Sequence, residues 1–216
     1  MWDGKWNAGG GVHDPNATSW VDLVAGIELE AQYSPVTWND DSISVRGKWV
    51  TGNSAAITYL QSSFFDPPKI SGGGFTVEIA SKIDLSGDHN IFGQRYVALN
   101  LFTYDNKICG WLGNGNNTTS NLSIGQKGTV AFIVVNNGSS YDQMSYTNGG
   151  SAIQYQNRAY QGSLNELGQF GVGQGQYDAW GVAEGDYYCI RLYNRALTAA
   201  EIAANYAVDK VRFGLS

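Results

Sequence analysis

Charge is scarce in this sequence. Lys, Arg, Asp and Glu make up 15% of its 216 residues, against roughly 25% in an average domain. The basic residues are the fewest: 13 Lys and Arg stand against 19 Asp and Glu, for a net charge of −6, and no Lys/Arg cluster occurs. Such clusters are what hold a phosphate backbone, so nucleic-acid binding is excluded as a function class. Cysteine is nearly absent too. Cys109 and Cys189 are too few for a disulfide framework, and neither stands in a Cys-x-x-Cys or Cys/His setting that would hold zinc. Both fall in strand-like segments and read as small buried hydrophobes. No apolar run approaches the ~18–20 residues a helix needs to cross a bilayer, and no basic-then-apolar leader opens the chain. The chain is therefore expected to be soluble, without membrane insertion.

What is present is the punctuation of an all-β protein. Phe75 to Ile83 alternates, with Phe75, Val77, Ile79, Ser81 and Ile83 toward a core and Thr76, Glu78, Ala80 and Lys82 on a polar face. Tyr187 to Tyr193 alternates as well, placing Tyr188, Ile190 and Leu192 on one side and Tyr187, Cys189, Arg191 and Tyr193 on the other. Thr129 to Val135 is apolar almost throughout and reads as a buried strand. Asn148-Gly149 and Tyr104-Asp105-Asn106-Lys107 read as hairpin turns. Gly113 to Ser120 reads as a polar loop, and residues 60–74, with Pro67-Pro68, as a break that no central strand crosses. The first thirty residues form a Gly-rich polar stretch with turns at Asp14-Pro15 and Asp22, and Trp2, Trp6, Trp20 and Trp38 serve its packing. Short strands about every ten residues, jointed by Gly and Asn, indicate one antiparallel sandwich domain spanning residues 1–216. One helix is signalled, near the end: Thr198 and Glu201 make a capping box, and Leu197 and Ile202 the hydrophobic staple around it.

That closing stretch, Gly185 to Tyr206 with Arg191-Leu-Tyr193-Asn-Arg195-Ala-Leu-Thr198-x-x-Glu201-Ile202, and then Asp209-Lys-x-Arg212-Phe-Gly214, resembles the end of laminin-G-like domains of the concanavalin A-like lectin/glucanase superfamily, in their bacterial and phage form. Asn7-x-Gly9-x-Gly11-x-His13-Asp14 with Ala17-Thr18-x-Trp20-x-Asp22-Leu23 resembles their opening, and Phe75-Thr-Val-Glu-Ile79 a middle strand. Tyr188 and Cys189 depart from the pattern, which often has acidic residues there. The resemblance implies a two-sheet antiparallel jelly roll with one short C-terminal helix. It also implies that a strand precedes Met1-Trp2, so a domain cut from a longer protein is expected.

The superfamily includes glycoside hydrolases as well as lectins. A retaining hydrolase needs two carboxyl groups roughly 5–5.5 Å apart, supplied by alternate residues of one strand. Glu78-Ile-Ala80-Ser-Lys82 has Ala and Lys at those places, and Glu28-Leu-Glu30 lacks a third acid and reads as an exposed strand face. No Gly-x-Ser-x-Gly elbow exists, His13 and His89 are the only imidazoles, and His13 reads as a turn residue bonding the backbone. Gly9–Gly11 and Gly72–Gly74 lack the Lys-Ser/Thr of a phosphate loop. No enzyme is expected.

Binding remains. A sugar ring presents an apolar C–H face and a polar rim, and is held by exposed aromatic faces flanked by Asn, Asp or Gln. Two stretches outside regular strands offer this: Tyr104-Asp105-Asn106 with Trp111, and the glycine-flanked Gly173 to Gly181 with Tyr177, Asp178 and Trp180. The resemblance further implies one rim Ca²⁺, for which Asp84, Asp88 and Asn90, or Asp178 and Asp186, are available without any spacing that ranks them. The expected partners are a glycan or cell-surface polysaccharide, or other virion or surface proteins. The expected setting is extracellular, on a bacterial surface or a virion.

Overall fold

The structure, a computed structural model, describes residues 1–32, 36–46, 59–62, 73–85, 87–94, 99–112, 117–159, 170–173 and 181–215. These form two antiparallel sheets. Strands are numbered along the chain. Sheet A runs β14 (Ile153–Ala159), β13 (Ser140–Thr147), β12 (Lys127–Asn136), β7 (Gly74–Ile83), β16 (Gly185–Tyr193), β5 (Ile43–Val45) and β4 (Thr37–Trp38), and β1 (Trp2–Asp3) also pairs with β16. Sheet B runs β11 (Asn117–Ser123), β10 (Lys107–Leu112), β9 (Leu99–Tyr104), β8 (His89–Gln94), β15 (Phe170–Val172), β6 (Tyr59–Ser62), β3 (Glu28–Gln32) and β2 (Ser19–Val21). The one α-helix among the described residues, α1 (Ala199–Phe213), follows the last strand. The fold is the expected jelly-roll sandwich.

The inner faces of the sheets meet in one core. Phe75, Val77, Ile79 and Ile83 of β7 and Val130, Phe132 and Val134 of β12 pack with Leu99, Leu101, Ile108 and Leu112 of the opposite sheet. Gly110 lets the sheets close: a Cβ there would fall 2.2 Å from the Phe132 ring. Trp2, Trp20 and Trp38 are buried in this same core, deeper than loop packing requires. Cys109 and Cys189 are free and buried, one in each sheet.

Four local expectations change. In β16, Tyr187 sits opposite Ser81 but Cys189 opposite Ala80, so Tyr188 is an extra residue in a β-bulge. The bulge turns Tyr187 into the core and puts Tyr188 beside Cys189 on the outer face, the reverse of simple alternation. The polar face of β7 is not solvated: Thr76, Glu78 and Ala80 are buried. Asn117 to Ser120, read as loop, begins strand β11. Tyr59–Ser62 runs as β6 into the supposed break, paired on both sides; Pro67 and Pro68 lie outside the described residues.

The helix has 15 residues rather than being short. Its start is as read: Thr198 accepts from the Glu201 N–H, and the Glu201 carboxylate accepts from the Thr198 N–H. Its end is Gly214, left-handed at φ 62°, where a side chain would be strained. Leu197 and Ile202 pack together on Ala131 and Ile133 of β12, and Phe213 packs on Tyr188 at 5.5 Å between rings. The Arg212 guanidinium pairs with Asp3 at 2.7 Å and lies 4.8 Å over Trp6, tying the helix to the N-terminal strand.

Candidate functional site

The outer face of sheet B carries the arrangement that the fold itself does not explain. β9 and β10 are joined by Asp105 and Asn106, both left-handed at φ 48° and 59°, the two-residue turn that matches strand twist. Leu99 and Leu101 point inward, so Asn100, Phe102 and Tyr104 point outward. On β10, Ile108 and Leu112 point inward and Cys109 and Trp111 outward. The register sets Trp111 opposite Asn100, Cys109 opposite Phe102 and Lys107 opposite Tyr104. A row of rings results, with Trp111 edge-on to Phe102 at 6.5 Å and Tyr104 at 6.5 Å from Phe102 on its far side. Trp111 and Phe102 are sealed, 5% and 1% exposed, whereas Tyr104 is 51% exposed.

Amides flank the row. Asn100 donates from Nδ2 to Asn90 Oδ1 at 2.8 Å. Asn100 is fully buried and its Oδ1 has no hydrogen-bond partner. Leaving such an acceptor unmatched costs about 1–3 kcal/mol. Gly93 lies opposite Asn100 on β8, and a Cβ there would come 2.9 Å from Oδ1, so glycine keeps that space open.

Of the residues singled out from sequence, the hairpin brings Tyr104, Asn106 and Trp111 onto one structural unit. Trp111, however, is inside β10 rather than outside regular strands, and its packing on Phe102 makes it a support for the row. Tyr177, Asp178 and Trp180 lie outside the described residues. Asn100 and Phe102 were not singled out, and Asn90 was read only as a candidate Ca²⁺ ligand; the alternation Leu99-Asn-Leu-Phe102 was the available signal.

Among the described residues, the buried carboxylates Glu78 and Asp209 lie together on the outer face of sheet A. Burial, only partly offset by Arg191 and by the Asn205 hydrogen bond, pushes Glu78 up to about 7. Its neighbour across Arg191 is Asp209, and both acids are buried beneath α1, where they hold the helix. Burial pushes the Cys189 thiol up to about 12, which removes it as a nucleophile. Glu28 and Glu30 are exposed on β3. The half-buried His13 does not make the expected backbone bond through Nδ1, which has no partner.

Two of the rim acids considered for Ca²⁺, Asp84 and Asp186, are engaged by the chain's own cations. Asp84 faces Lys82 at 2.8 Å and Arg46 at 3.4 Å, and Asp186 faces Arg46 at 3.0 Å and accepts from Ser44. Asn90 is engaged with Asn100, and among the described residues no three His, Cys, Asp or Glu converge. Asp178 lies outside the described residues.

No family model matches the chain, and no curated protein matches it. Solved structures do. A Trypanosoma rangeli sialidase in complex with sialic acid is 13% identical with a TM-score of 0.64, over 93% of this chain and 32% of that one. A heptameric SAP-like pentraxin from Limulus polyphemus is 14% identical with a TM-score of 0.61, over 79% of this chain and 83% of the pentraxin. A mutant of HCR/D is 14% identical with a TM-score of 0.62, over 91% of this chain and 50% of that one. The chain thus spans about a third of the sialidase's length. Likeness at this identity carries the fold alone, a two-sheet antiparallel jelly roll.

Proposed function

We propose that this domain is a non-catalytic carbohydrate-recognition module of the laminin-G-like, bacterial or phage type, displayed on a cell surface or virion as an adhesion, fibre or decoration element. The observation that carries the reading is the outer face of β9 and β10. A half-open Tyr104 stands at the end of a rigid hairpin, backed by Phe102 and Trp111, with the exposed Asn106 beside it. An aromatic plane suits the C–H face of a sugar, and amides suit its hydroxyl rim. The absence of a paired acid on the Glu78 strand supports a role without catalysis.

The test is an array of bacterial and host glycans, followed by Tyr104→Ala, Trp111→Ala and Trp180→Ala on any hit. Tyr104→Ala should weaken binding about tenfold, ~1.4 kcal/mol, with the fold intact. An array without hits defeats the glycan reading.

A second reading, a protein–protein module of a virion or surface assembly, is favoured by α1. Ile202 and Phe213 face the sheet, but an apolar strip is left on the outside. Asp209 is buried against the sheet and Asn205 and Arg212 are partly so, while Ala200, Ala203, Ala204, Ala207, Val208 and Val211 are all exposed, Val211 at 85%. A stable complex or oligomer lost on Val211→Asp, with an empty glycan array, would decide for it.

A further inference from the structure

Beneath α1, the outer face of sheet A encloses an odd number of charges. Glu78 of β7, Arg191 of β16 and Asp209 of α1 are all buried, and Glu78 is directly opposite Arg191 in the register. Arg191 gives both guanidinium ends to Asp209, at 2.7 and 2.6 Å, the bidentate fork that best fits a carboxylate. Glu78 is left 3.9 Å from the same guanidinium. Its close donor is a neutral one, Asn205 Nδ2 at 2.7 Å, which also lies 3.0 Å from the Tyr193 hydroxyl. Each neighbouring element is then accounted for: β16 supplies Arg191 and Tyr193, α1 supplies Asn205 and Asp209, and β12 sets the apolar Ala131 opposite Glu78. With Glu78 ionised, two negative charges share one positive charge out of reach of water. A proton on Glu78 makes the enclosed cluster neutral.

We propose that α1 is a proton-coupled latch, which seats fully on sheet A with Glu78 protonated and loosens as that carboxyl ionises. Opening the latch exposes Glu78, Arg191 and Asp209 to water and uncovers Cys189 and Tyr188 where Phe213 now packs. The direction follows from linkage. Burial raises the Glu78 carboxyl from 4.5 to about 7 in the closed state, so its contribution to docking is complete below about 4.5 and is lost as pH rises through about 7. Within that window the opening equilibrium climbs by up to roughly tenfold per pH unit, on the order of a hundredfold in all, and is flat above it.

Hydrogen exchange of the α1 amides in the intact chain, corrected for intrinsic rates, tests this from pH 4.5 to 8. Protection over Asn205 to Phe213 should fall on the order of a hundredfold in the wild type and stay level in Glu78→Gln, which keeps the shape without the charge. Protection that does not change with pH, or a Glu78→Gln profile that follows the wild type, overturns the latch. Should Glu78→Gln not fold, ¹³C titration of the wild-type Glu78 carboxyl decides, a midpoint near 7 supporting the latch and one near 4.5 overturning it.

Discussion

The two sheets share one interior and differ on their outer faces. On sheet A the outward groups Thr76, Glu78 and Arg191 of the central strands meet partners from the chain's own C-terminal segment. Thr76 donates to the Arg195 carbonyl and accepts from the Leu197 N–H, Glu78 accepts from Asn205, and Arg191 grips Asp209. On sheet B the outward face carries a row of rings ending in a half-open tyrosine and an amide oxygen with no partner. Both faces bury polar atoms, and the difference is whether the chain itself satisfies them. A polar group matched within the chain holds the fold. What sheet B leaves open to solvent is the Tyr104 ring.

Breaking the matched face should have the largest effect. Asp209→Ala leaves Arg191 buried without its carboxylate and should cost about 3–5 kcal/mol, read as a fall in the urea midpoint with loss of α1 protection. A cost under about 1 kcal/mol, the range of an exposed ion pair, would mean that sheet A is not sealed by this pair. Thr198→Ala removes the capping hydroxyl and should cost about 1 kcal/mol, since the helix remains anchored by Leu197, Ile202 and Phe213. On the outer face of sheet B, Tyr104→Ala should change stability by no more than about 0.5 kcal/mol while removing the plane proposed to contact a sugar. A large loss of stability there would erase the distinction between the faces and mark Tyr104 as core.

Much of the fold was legible in the residues. The alternation from Phe75, the apolar run from Thr129 and the capping box at Thr198 each became the element they described, because each rests on interactions within a few residues. What was not legible came from partners remote in sequence. The bulge at Tyr188 exists only in the pairing of β16 with β7, so alternation alone assigned Tyr187 and Tyr188 to the wrong faces. Glu78 looked like a solvated strand residue because nothing in its neighbourhood announces a helix that arrives more than a hundred residues later. At the candidate site, Tyr104 and Asn106 were visible as a hairpin, but Trp111 reads as an open aromatic until its strand and Phe102 are in place.

By itself the sequence determined that this is an all-β sandwich closed by a capped helix, since strand period, turn residues and caps are local. Only the tertiary structure decided which outward face is covered and which polar groups are left over. Burial and hydrogen-bond matching depend on segments that meet only when the sheets and helix pack. That is why the closing motif, Arg191 to Asp209, proved to be the fastening of sheet A, while the face proposed for recognition is the less distinctive hairpin of β9 and β10.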